Sequence, residues 1–165
     1  MKRYSIILLV VVLFSCKGNN KAGDNTEATV DSIVDETGTP EDLADSKLYV
    51  WRANPDFTKI KNNGVQPEIL NADSLIKGLN AHYENILLEK QKQGGDTLYC
   101  IIKNSEYLTQ RMGSTGAEIY IADVVLNLTA VPGIKYVKVD MEEGDHAGPG
   151  TWSAADFKNY KEVMH

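Results

Sequence analysis

The chain has 165 residues, of which 42% are hydrophobic and 24% charged, with a formal net charge of −6. That length accommodates one ordinary domain with appendages rather than two full domains. The acidic balance argues against a nucleic-acid binder, which needs a clustered excess of Lys and Arg, and the two cysteines cannot build a disulfide framework.

The first residues include Lys2 and Arg3, and residues 6–14 form an unbroken run of Ile, Leu, Val and Phe. A short positive region ahead of such a run is the pattern of a secretory signal. The run falls well short of the roughly 20 apolar residues that a membrane-crossing helix needs, and polar Lys17-Gly18-Asn19-Asn20 follows at once. Leu13-Phe14-Ser15-Cys16 resembles the bacterial lipobox, with Phe14 bulkier than is usual there. The resemblance implies a signal peptide over residues 1–16, with Cys16 acylated and retained as the membrane anchor. Each buried methylene contributes about 0.8 kcal/mol, so acyl chains at Cys16 would hold the mature protein durably on a bilayer. In some bacterial groups acidic residues directly after the lipidated Cys direct export to the cell surface. None follows Cys16 directly, which points to a periplasm-facing location in the cell envelope.

Residues 17–47 contain no Phe, Trp or Tyr and are dominated by Asn, Asp, Glu, Thr, Ser, Gly and Lys. Such a stretch cannot bury enough apolar surface to offset its ordering entropy, and it reads as a disordered tether. As a flexible coil it would reach about 30 Å. Loss of Lys2 and Arg3 with the signal leaves 15 basic residues against 23 acidic, a formal net charge of −8. With Cys16 lipidated, only Cys100 remains, so an intramolecular disulfide is not expected. Cys100 lies in the apolar run Leu98-Tyr99-Cys100-Ile101-Ile102 and reads as a small buried core residue.

Residues 48–165 are the expected folded domain. Leu48-Tyr49-Val50-Trp51, ahead of Asn54-Pro55, predicts a first strand. Residues 65–70 predict a second, confined by Pro67 to a sheet edge. Over residues 73–92 the spacing of Leu75, Ile76, Leu79, Tyr83, Ile86 and Leu87 predicts one helix, with Asn71 or Asp73 as N-cap and Gly94-Gly95 as the stop. His82 beside this stripe has no second ligand at helical spacing and suggests no metal site. Residues 97–102, apolar on both faces, predict a central strand. Ser105 is placed to cap a short helical turn. Thr115-Gly116-Ala117-Glu118 has the form of a capping box ahead of a second helix whose stripe is Ala117, Ile121, Val124, Val125 and Leu128, ended by Pro132-Gly133. Alternation from Tyr136 to Met141 predicts a half-exposed strand. These elements predict an α+β fold: a two-layer sandwich of a small mixed sheet, three to four strands, with two main helices on one face.

Ser105-Glu106-Tyr107-Leu108, Gly113-Ser114, the helix over 121–128 and then Thr129-Ala130-Val131-Pro132-Gly133-Ile134-Lys135-Tyr136-Val137 resemble the GerMN domain, the module of sporulation and spore germination proteins. Residues 48–70 have the order of that family's opening strands. Two departures stand out. The family's extra strand between first helix and central strand is absent from this reading, with residues 93–96 as a direct connection, and the closing Asp-Gly is stretched over residues 140–145. The resemblance implies a small fold without cofactor, often on secreted or lipid-anchored proteins, that acts in envelope assembly or protein contact.

The sequence offers no complete catalytic constellation, and a non-enzymatic binding domain that meets an envelope protein is the expected role. The alternative is a metal-dependent hydrolase or cation-binding domain in the acidic loop 140–146, where Asp140, Glu142, Asp145 and His146 would be the ligands. Gly113-Ser114-Thr115-Gly116 at a helix start could receive an anion but lacks the Lys and the length of a phosphate loop. Tyr136, Trp152 and Tyr160 could form an aromatic contact patch for a peptide or glycan.

Overall fold

A computed structural model describes residues 48–66 and 69–164. The segments expected to be a signal peptide and a tether, with Cys16, lie outside the described residues. The fold is α+β, as the sequence predicts, with two mixed sheets in place of one. Strands β3 (Glu89–Gly94), β4 (Thr97–Ile102), β5 (Tyr136–Met141) and β6 (Gly150–Ser153) form a four-stranded sheet in that order. A three-stranded sheet takes the order β1 (Trp51–Ala53), β2 (Thr58–Lys61) and β7 (Lys161–Val163). The helices are α1 (Ala72–His82) and α2 (Gly113–Leu128).

Strict alternation makes the four-stranded sheet two-faced. Leu98, Cys100 and Ile102 of β4 and Val137, Val139 and Met141 of β5 are buried, whereas Tyr136, Lys138 and Asp140 are exposed. Parallel pairing of β4 with β5 sets Leu98 beside Val137 and Cys100 beside Val139, so one apolar face receives both helices. Burial pushes the Cys100 thiol up to about 12, which leaves it a protonated core residue at neutral pH.

Residues 73–92 are not one helix. α1 starts where Asn71 accepts a hydrogen bond from Ser74 N at 2.8 Å, but it ends at His82. Asn80 then clasps the chain: its side-chain amide donates to Leu88 O at 3.0 Å and accepts from Leu88 N at 2.9 Å. Two bonds to one residue's backbone hold the next segment extended, and β3 follows, with Gly95 (φ 62°) in the turn to β4. The direct connection read at residues 93–96 is therefore a hairpin turn, and an extra strand does precede the central one. A bulge between Lys90 and Lys92 and the charged side chains of β3 blunt this sheet edge. Val65 and Gln66 are not in a strand either. The partner of β1 is β2, reached through a turn at Asn54 to Phe57 in which Phe57 has φ 57° and Asp56 Oδ1 accepts from Thr58 Oγ1 at 2.6 Å.

The connection after β4 also differs from the capping scheme read in the sequence. Ser105 stands at the start of the turn, where its carbonyl accepts from Thr109 N at 2.8 Å, but its Oγ donates to Glu142 O at 2.9 Å instead of capping; a π-helical turn, Tyr107–Arg111, leads into α2. Helix α2 begins at Gly113 (φ 77°), ahead of the predicted box at Thr115.

α2 is the centre of the domain. All nine residues from Tyr120 to Leu128 are buried, including Asp123 and Asn127. A helix buried all round needs cover on every side, and β1 supplies part of it. Asn127 Oδ1 accepts from Val50 N at 2.5 Å and Trp51 N at 3.1 Å, while its Nδ2 donates to Trp51 O at 2.8 Å. Asp123 Oδ1 accepts from Ala53 N at 2.7 Å, and its Oδ2 accepts from Tyr83 OH at 2.7 Å and pairs with Arg52 at 3.2 Å. Two side chains one helical turn apart thus satisfy the β1 edge as a neighbouring strand would. Burial raises the Asp123 carboxyl above its ordinary range, against the pull of the Ala53 N–H, the Tyr83 hydroxyl and Arg52.

Tyr120 is the exception to this satisfaction of polar groups. Its ring packs edge-on to Tyr83 at 4.9 Å, and its hydroxyl is buried without a hydrogen-bond partner among the described residues. An unpaired buried hydroxyl costs roughly 1–3 kcal/mol. Tyr120→Phe is therefore expected to raise stability by about 1 kcal/mol in urea unfolding; a loss of that size would show the hydroxyl to be paired.

Candidate functional site

A groove of about 590 Å³ opens between the first half of α2, the loop before β6, β6 itself and the 3-10 turn Ala154–Phe157. Ser114, Ala117, Glu118 and Ile121 form its helical wall, spaced as one face of a helix must be. Trp152 and Phe157 form the floor, and His146, Ala147 and Gly148 the far lip.

Each part is held by local chemistry. The loop is fixed where His146 N donates to Thr109 O at 3.0 Å and Gly144 N to Ala147 O at 2.9 Å. Gly144 has to be glycine: a Cβ there would stand 2.7 Å from Thr109 Cβ. Trp152 sits opposite Val137 in the β5–β6 register, on the helix side of the sheet, and its ring lies over Gly150. A Cβ at Gly150 would meet the indole at 2.4 Å, so that glycine lets the ring lie flat. Asp156 closes the 3-10 turn by accepting from Ser153 N at 2.7 Å and Ser153 Oγ at 2.9 Å, both on Oδ2. The Ser153 N–H and hydroxyl hold this carboxyl below the usual range.

Ser114 Oγ and His146 Nδ1 are 3.2 Å apart at the groove mouth. No carboxylate among the described residues is bonded to the second imidazole nitrogen, so the pair lacks the third group that orients a catalytic base. Its evident effect is to fasten the loop to the start of α2.

The acidic-loop residues do not converge. Asp140 is on the outer sheet face opposite Ile101, Glu142 and Glu143 flank a separate groove beside Ser105 and Thr109, Asp145 is exposed, and His146 turns into the groove at α2. Among the described residues no three His, Cys, Asp or Glu side chains are placed to hold a metal ion. The physical reason is the strand itself: Asp140 and Met141 point to opposite faces, and the loop then wraps over the π turn. The predicted aromatic patch is likewise dispersed. Tyr136 is exposed on the outer face, Trp152 lies on the inner one, and Tyr160 is buried against Phe57 at 5.5 Å and Phe157 at 5.9 Å.

Compared with protein-family models, curated proteins and solved structures, the chain matches none.

The groove's rim is acidic. Glu118 and Asp156 are its acidic side chains, and among the described residues no Lys or Arg lines it. The sequence reading singled out Trp152 and His146, took Ala117 and Ile121 for plain core, placed Ser114 in a possible anion-binding helix start and Glu118 in a capping box, and left Asp156 and Phe157 unused. The signal was present in the spacing 114, 117, 118, 121, which joins polar and apolar residues on one helix face.

Proposed function

We propose that the chain is a lipid-anchored cell-envelope protein, held on its membrane by Cys16, whose GerMN-like domain binds another envelope protein without catalysis. The observation that carries the binding half is the groove: a floor of Trp152 and Phe157 with polar groups along its rim. Ligand sites commonly combine an apolar floor with a few placed polar groups. The anchor half rests on the apolar run of residues 6–14, the lipobox-like Leu13-Phe14-Ser15-Cys16 and the aromatic-free stretch behind it. A periplasm-facing placement accords with the absence of acidic residues directly after Cys16.

Photo-crosslinking in intact cells tests the reading. A photoreactive residue in place of Ser114, on the groove wall, should capture a discrete envelope protein. The same residue in place of Lys138, on the outer sheet face, should not, and Trp152→Ala should remove the Ser114 adduct. Identical patterns from the two positions, or no adduct from either, would contradict a groove partner.

A further inference from the structure

We infer that the groove selects a cation, a Lys or Arg side chain flanked by apolar residues on an extended segment of the partner. This rests on the groove being the partner site and goes further by fixing the chemistry of what enters it. Three observations converge. Glu118 and Asp156 both line the groove, and neither takes part in an ion pair or meets a cation among the described residues. Asp156 spends only Oδ2 on its turn, which leaves Oδ1 for a ligand, and the Ser153 bonds keep the carboxyl ionised. The Trp152 indole, packed on one side against Gly150, lines the same groove.

A flat aromatic face beside carboxylates is the arrangement that attracts an ammonium or guanidinium group, through the ring quadrupole and through direct charge pairing. The alkyl stem of Lys or Arg would lie along Ala117, Ile121 and Phe157, and apolar neighbours would fill the rest. The same carboxylates repel an anionic ligand, and the mature chain's charge of −8 reinforces that bias at long range.

The test is a titration of the full mature chain in detergent at pH 7.5, followed by NMR at the Trp152 indole N–H and the Glu118 and Asp156 amides. The probes are acetyl-Leu-Lys-Leu-amide, its Arg form, and the Gln and Glu forms as controls. The Lys and Arg peptides should bind about tenfold more tightly than Gln, the Glu peptide should not shift these signals, and Glu118→Gln should erase most of the Lys-over-Gln preference. Equal response to Lys and Gln, or a response to a neutral oligosaccharide such as chitotetraose and to no peptide, would overturn cation selection. If no probe shifts these signals while Ser114 still crosslinks a partner in cells, cation selection fails and the groove reading stands. If both fail, both fall.

Discussion

Asp123→Ala is expected to cost about 3–5 kcal/mol, because removal of one member of a buried pair leaves the others without compensation. Asp123 is 1% exposed and serves three groups from two elements: Ala53 N, Tyr83 OH and Arg52. After truncation the Ala53 N–H and the Tyr83 hydroxyl lose their acceptor, and the Arg52 side chain, only 14% exposed, loses the Asp123 carboxylate. For a domain of this size the melting temperature should fall by roughly 10–20 °C. Asp123→Asn keeps one acceptor oxygen in place, so its cost should be smaller, about 1–3 kcal/mol. Urea unfolding of the two variants checks the order. Equal costs would mean that the charge and the second carboxylate oxygen account for the whole effect and that the retained acceptor oxygen contributes nothing. Because Asn127 serves the same strand from the next turn, the double variant should lose less than the two single losses together.

Gly78→Ala comes next and reverses an ordinary rule. Inside an exposed helix this change stabilises by about 0.5–1 kcal/mol, since Ala restricts the unfolded chain and favours the helix. At Gly78 a Cβ would lie 2.3 Å from the Leu48 carbonyl oxygen and 3.2 Å from Leu48 Cβ. The obstacle is backbone, which cannot rotate away as a side chain would. The segment ahead of β1 must therefore move off α1, and a net loss of about 1–3 kcal/mol is expected. The same movement should disturb the Val50 and Trp51 bonds to Asn127, seen as faster amide hydrogen exchange at those two residues. A gain in stability would show that Leu48 does not pack as closely on α1 as the glycine permits.

The parts of the fold written in periodicity were legible. Alternation from Tyr136 to Met141 gave β5, the continuous apolar run gave β4, and Asn71 marked the start of α1. The failures share a cause: tertiary partners overrode local preference. Glu89-Lys90-Gln91-Lys92-Gln93 has good helix formers throughout, yet the Asn80 clasp and pairing with β4 make it a strand. β2 was missed because Thr58-Lys59-Ile60-Lys61 is half polar, and it is stabilised by neighbours from both ends of the domain. In α2, Asp123 and Asn127, spaced four apart within Ile119 to Leu128, were a readable sign of a buried polar contact. Their partner strand was not readable, because it lies about 70 residues earlier in the chain. The site was legible only in fragments: His146 and Trp152 were singled out for different sites, and the fold brings them into one groove.

What the groove meets depends on where the domain is held, so the proposed acylation of Cys16 is the point on which the functional reading turns. Mass spectrometry of the amino-terminal peptide of the mature protein tests it most directly. The account predicts a chain that begins at Cys16, with the thiol carrying a diacylglyceryl group and the protein in the membrane fraction. A chain that keeps Met1, or one that begins at or before Cys16 with an unmodified thiol, would contradict it.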